Sequence, residues 1–228
     1  MKIQDISTKL KNIKETLPKD VTLVAVSKTK PESDILEAYK AGQRVFGENK
    51  IQEMAQKYEA LPKDIQWHMI GHLQRNKVKY MAHFVSLIHG VDSLKTLKEI
   101  NKQALKHNRV INCLLQAKIA QEETKFGLSF QEVETILNSD ELKSLNNIAI
   151  VGLMGMASFT ADLNQVEQEF TSLNTFFKQL KTSHPERSRR TQLTTLSMGM
   201  SSDYQLAIKC GSNMVRIGSS IFGERHYV

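Results

Sequence analysis

Short runs of β-branched and aliphatic residues recur eight times along the chain, each separated from the next by a stretch with helical spacing of its apolar positions. The runs are VTLVAVS (21–27), RVFG (44–47), QWHMIG (66–71), FVSLIHG (84–90), VINCLLQAK (110–118), IAIVGLM (148–154), TTLSMG (194–199) and MVRIG (214–218). Several are nearly continuous in apolar residues, as a parallel strand covered on both faces must be. Such alternation predicts repeated βα units. Eight units in 228 residues fit a single TIM-type (β/α)8 barrel spanning 1–228. A doubly wound sheet would need fewer strands and a glycine-rich first turn, and no GxGxxG follows any run.

An extra helix is expected at roughly 3–16, before the first strand. Pro31-Glu32-Ser33-Asp34 places a proline and two acids in a first turn, and Asp92-Ser93 and Ser129 are candidate caps. KTSHPERSRRTQL (181–193) breaks the rhythm and is expected to be a polar surface insertion. No stretch reaches the roughly 20 apolar residues that span a bilayer, and the N-terminus lacks the apolar core of a secretory signal, so the chain is expected in the cytoplasm. Cys113 and Cys210 lie far apart, with no Cys or His at ligand spacing, which argues for buried free thiols and against a metal site. The formal charge is +7, but the lysines are scattered over presumptive solvated faces. The densest basic cluster, HPERSRR, has no interleaved aromatics to stack on bases, so nucleic-acid binding is not expected.

In a barrel the functional groups come from the C-terminal strand ends and the loops that follow. Lys28 directly follows the first run, where loss of hydration disfavours the ammonium form and leaves a nucleophilic amine. Alone, such a lysine is more often a solvated side chain than a reactive one. Lys30 is its competitor, but it precedes Pro31 and belongs to the loop. At the other end of the chain, Gly218-Ser219-Ser220 close the last strand, and Ser201 and Ser202 follow the seventh. Together they could offer N–H groups and hydroxyls to a phosphate, or could merely turn the chain and cap helices.

VSKTKP (26–31), RVFGEN (44–49), WHMIGHLQRNK (67–77), KFGLS (125–129), GLMGM (152–156), LSMGMSSD (196–203) and VRIGSSIFG (215–223) resemble, in that order, the motif series of the pyridoxal phosphate (PLP) homeostasis proteins. Seven ordered motifs are far more specific than any one of them. The resemblance implies a barrel of the alanine racemase N-terminal type, with PLP at its C-terminal mouth as an imine on Lys28. It further implies Arg216 facing the pyridine nitrogen, and Gly218, Ser219 and Ser201 on the phosphate. Asn49, Ile70 and Met154 match positions around the ring. His68, sharing a strand face with Ile70, and His72, in the following loop, are read as structural or loop polar residues. Lys125 matches a further family position and could reach the mouth, or equally be a solvated or ion-paired side chain. Lys50 departs from the family pattern, where a tyrosine or arginine is expected.

An arginine opposite the pyridine nitrogen stays protonated and discourages protonation of that nitrogen, which weakens the ring as an electron sink. Racemases of this barrel type add a second domain and a partner chain that supply a tyrosine base. The sequence here stops at Val228, five residues after the IFG turn, so no such domain is expected. The resemblance therefore implies a monomeric PLP carrier that serves apo-enzymes, with no catalytic residue assigned. The alternatives are a racemase of low activity, with at most trace turnover, and a barrel for another phosphate ligand.

Overall fold

Asp5 opens helix α1 (Ile6–Thr16), its carboxylate accepting the Thr8 amide at 2.7 Å, while Leu10 and Ile13 supply the buried face. In the computed structural model, which describes residues 5–122, 126–183 and 191–224, this helix lies against α2 (Glu32–Lys40) and α9 (Ser219–Phe222). Strands β1 (Thr22–Val26), β2 (Val45–Glu48), β3 (Gln66–Met69), β4 (Leu87–Val91), β5 (Ile111–Lys118), β6 (Ile148–Met156), β7 (Thr191–Ser197) and β8 (Met214–Ile217) form a closed parallel barrel in sequence order. β8 returns to β1 with Leu23 opposite Val215 and Val24 opposite Arg216. Each of the eight apolar runs supplies one strand.

The remaining helices are α3 (Ile51–Ala60), α4 (Leu94–Lys106), α5 (Phe130–Asn138), α6 (Asp140–Lys143), α7 (Leu163–Ser183) and α8 (Tyr204–Lys209). Their expected starts are present. Pro31 precedes α2, Ser93 caps α4 through the Thr96 amide at 3.2 Å, and Ser129 forms a capping box with Glu132. Two expectations change. The β3–β4 crossover is a 3-10 turn, Arg75–Tyr80, not an α-helix, although Val78, Met81, Ala82 and Val85 are buried at the i, i+3, i+4, i+7 spacing of a helical face. At the two ends of the expected insertion, 181–193, regular structure is present: α7 runs through Ser183 and β7 begins at Thr191. The basic HPERSRR stretch (184–190) and Lys125 lie outside the described residues.

Strand parity divides the core. Trp67, Phe46, Met69 and Ile88 face outward and pack under the helices, whereas Val24, Leu87, Leu114, Met154 and Met214 point inward and fill the barrel. Burial pushes the Cys113 thiol pKa well up. Cys210 is only half-buried, at the end of α8, contrary to the expectation that both thiols are enclosed. Among the described residues no helix is long and apolar enough to cross a membrane, and no cluster of His, Cys, Asp or Glu could hold a metal.

Candidate functional site

The strand ends converge on a cavity of about 510 Å³ at the C-terminal mouth of the barrel. Close backbone approach shapes one wall. A Cβ on Gly71 would sit 2.4 Å from the Asn49 carbonyl oxygen, and one on Gly90 would sit 2.5 Å from the Gly71 carbonyl oxygen, so only glycine lets the ends of β2, β3 and β4 stack this tightly. Asn49, Ile70 and His72 then face the cavity. His72 stacks on Phe126, with ring centroids 4.5 Å apart, and its Nδ1 lies 3.4 Å from Asp92.

Lys28 enters from the turn after β1. Its competitor Lys30 also reaches the rim, but its ammonium donates to the Phe222 and Glu224 carbonyl oxygens at 2.9 and 3.0 Å and so ties the β1 loop to the segment after β8. On the β8 side, Gly218 donates its N–H to Ser201 Oγ at 3.2 Å and precedes α9, whose first amides, on Ser219 and Ser220, lie ahead of any intrahelical acceptor. The charged side chains lining the cavity are Lys28, Lys30 and Arg216. Among the described lining residues there is no carboxylate.

Arg216 is only 4% exposed, and its geometry is fixed by the barrel interior. Nη1 donates to Ser197 O at 2.9 Å and to Ser197 Oγ at 2.7 Å, and Nη2 donates to Gly155 O at 3.0 Å. Burial pulls its pKa down to about 10, so it stays protonated at neutral pH. A polar chain runs on across the barrel: Ser197 Oγ lies 3.2 Å from His89 Nδ1, and His89 Nε2 lies 3.1 Å from His68 Nδ1. A hydroxyl has one donor and two acceptor sites, so Ser197 Oγ can accept from Arg216 and also either donate to or accept from His89 Nδ1; the chain is complete with either pair of histidine tautomers. Burial holds both imidazoles neutral, His68 down at about 3 and His89 well below the ordinary value. His68 thus fulfils the structural reading. His89 and Ser197 escaped notice in the sequence, where the available signal was a polar residue at the inward parity of an apolar strand.

Of the expected site residues, Lys28, Asn49, Ile70, Ser201, Arg216, Gly218 and Ser219 line this one cavity. Met154 does not: it is 1% exposed in the apolar filling of the barrel, and the β6 residue at the mouth is Met156. The donor set suits a phosphorylated aldehyde. It offers an amine, a fixed guanidinium, a glycine-serine turn with hydroxyls for a dianion, and the apolar surfaces of Val26, Ile70 and Met156 for a ring.

Residues 1–226 match the family model described as alanine racemase, N-terminal domain. The PLP homeostasis protein of Pasteurella multocida is 40% identical over 210 residues, covering 91% of this chain and 88% of the relative. The chain belongs to the pyridoxal phosphate homeostasis protein family. Two solved structures of PipY from Synechococcus elongatus, similar to this family member, agree with that assignment. The form without PLP superposes with a TM-score of 0.89 at 35% identity, and the form with PLP bound with 0.86 at 34%; each match covers 96% of this chain and 100% of the other. An alanine racemase from Clostridium difficile shares the fold alone, with a TM-score of 0.78 at 16% identity over 98% of this chain and 57% of the racemase.

Proposed function

We propose that this chain binds PLP at the barrel mouth through a reversible imine on Lys28 and acts in PLP homeostasis as a carrier that serves apo-enzymes. The observation that carries this reading is the single cavity in which Lys28, Arg216 and the Gly218–Ser219–Ser201 turn meet with no carboxylate lining it among the described residues. Lys28 would supply the amine that attacks the aldehyde carbon, with water as the leaving group. Arg216 would donate to the pyridine nitrogen, and the turn after β8, with Ser201, would hold the phosphate. Asn49, Ile70 and Met156 would border the ring. When bound, the cofactor supplies an electrophilic carbon and a conjugated ring able to delocalise charge.

A carrier is favoured over a racemase by the lining. Racemases of this barrel type use a tyrosine as the second base, and no tyrosine is among the described lining residues; the imidazole that faces the cavity, His72, is stacked on Phe126 with Nδ1 3.4 Å from Asp92. The amine-bearing cavity also opens on exposed rim residues: Phe126 is 61% and Phe159 89% exposed. An accessible mouth allows the cofactor to leave. The proposal extends to a monomer acting in the cytoplasm.

Absorbance titration with PLP, followed by borohydride reduction and peptide mapping, tests the reading in wild type and Lys28→Ala. The expected result is a visible imine band that is lost in the variant, and a reduced adduct on Lys28. An adduct confined to Lys30 or a surface lysine would reject it. Deuterium exchange at the α carbon of added amino acids, with turnover, would reverse the preference for a carrier.

A further inference from the structure

Behind the mouth, outside the barrel, a second cluster of charges is built around Lys57 on the last turn of α3. Its ammonium donates to Glu48 Oε1 at 2.8 Å, to Glu53 Oε1 at 2.7 Å and to the Ser27 carbonyl oxygen at 2.8 Å. Three N–H groups meet three acceptors, so the ammonium is saturated. Glu48, at the end of β2, has no exposed surface, and its Oε1 also accepts the Ser27 hydroxyl at 2.7 Å. Glu53 Oε1 accepts the Thr29 amide at 2.5 Å. The residues immediately before and after Lys28 are therefore both held by this one cluster.

The held turn is strained. Lys30 N donates to Ser27 O at 3.0 Å, closing a turn in which Lys28 and Thr29 are the central residues, and Thr29 has φ +64°. A β-branched residue rarely adopts the left-handed region, where glycine or asparagine is the ordinary choice. The amide donated to Glu53 belongs to this residue. A buried ion cluster is a poor way to gain stability, since apolar residues of similar volume commonly do as well. Here its contacts are directed at a turn. Burial pushes the Glu48 carboxyl up to about 7 in spite of the opposing pull of Lys57 and Ser27, so the carboxylate depends on its partners.

We propose that Lys57, Glu48 and Glu53 are positioning residues that hold Thr29 left-handed and thereby fix the direction in which the Lys28 amine leaves β1. The proposal rests on Lys28 being the attachment residue. It predicts a defect in covalent capture with little change in the phosphate-side affinity, because Ser201, Gly218 and Ser219 are contributed by other strands. A misplaced attacking atom costs up to about 100-fold in rate.

The test measures two quantities on each full-length variant: PLP bound at equilibrium by dialysis, and the rate of borohydride-trappable adduct formation at Lys28. The variants are Lys57→Met, Glu53→Ala and Glu53→Ala with Thr29→Gly, and circular dichroism checks that each is folded. Trapping in Lys57→Met and Glu53→Ala is expected to slow at least about tenfold, equivalent to about 1.4 kcal/mol. Total binding is expected to change by less than about threefold, because the phosphate contacts persist. Thr29→Gly is expected to restore at least part of the rate lost in Glu53→Ala, since glycine occupies the left-handed region without strain. Unchanged trapping in a folded variant, or no recovery with glycine, would overturn the positioning role. If wild type formed no Lys28 adduct, the cofactor reading itself would fall, and the positioning role with it.

Discussion

Replacing His68 by glutamine isolates a titration that the barrel interior suppresses. His68 is buried with a pKa of about 3, against 6.5 for the free side chain, and burial is the cause. The unfolded chain therefore binds a proton that the folded chain refuses. The contribution is fully present above pH 6.5 and is lost as pH falls toward 3. At pH 5.0 the loss for one such histidine is about 2 kcal/mol, against almost nothing at pH 7.0. His89 acts in the same direction. Glu48 acts oppositely: its raised pKa of about 7 stabilises the fold at low pH, and this stabilisation fades as pH rises through 7. The overall pH curve mixes these effects, so the informative quantity is wild type minus variant. Glutamine does not titrate, and its side-chain amide has both a donor and an acceptor to offer His89 Nε2. Urea unfolding at both pH values should show this difference moving by about 2 kcal/mol in favour of His68→Gln on going from pH 7.0 to 5.0. Parallel pH dependences would refute the neutral buried histidine.

Gly71→Ala would drive a Cβ into the Asn49 backbone, so a loss of about 2–3 kcal/mol in urea unfolding is expected, together with weaker PLP binding because Asn49 lines the cavity. Ser129→Ala removes the α5 capping box on the exposed surface and should cost about 1 kcal/mol by thermal or urea unfolding, with PLP affinity unchanged. Under native conditions an aromatic disulfide reagent should modify the half-buried Cys210 and leave Cys113 untouched until urea unfolds the chain. Equal native reactivity of the two thiols would contradict the packing of β5.

The barrel was legible because its signals are local and repeated. A parallel strand buried on both faces must be apolar throughout, and a helix must expose one side, so the eight alternations specify the architecture before any contact is known. The caps at Ser93 and Ser129 were legible for the same reason, each being satisfied within four residues. Lys28, Ser201, Arg216 and Gly218 could be singled out because they end strands and fit a motif series, and barrel geometry brings strand ends together. The β3–β4 crossover was misjudged because Val78, Met81, Ala82 and Val85 carry the spacing of a helical face, while the chain closes into a 3-10 turn only in its tertiary setting.

The polar partners remained hidden. His89 and Ser197 are 108 residues apart and meet only when β4 and β7 face each other across the closed barrel. Met154 and Met156 are equivalent by pattern, and only the position of each along β6 decides which one fills the barrel and which borders the mouth. Lys57 looks like a solvated lysine of an amphipathic helix until α3 docks and removes it from water. The sequence by itself determined the periodic arrangement of strands and helices, and hence where a ligand could sit. Closure of the barrel decided which polar groups became neighbours, because pairings between residues far apart in sequence are set by burial and register and leave no periodic trace in the chain.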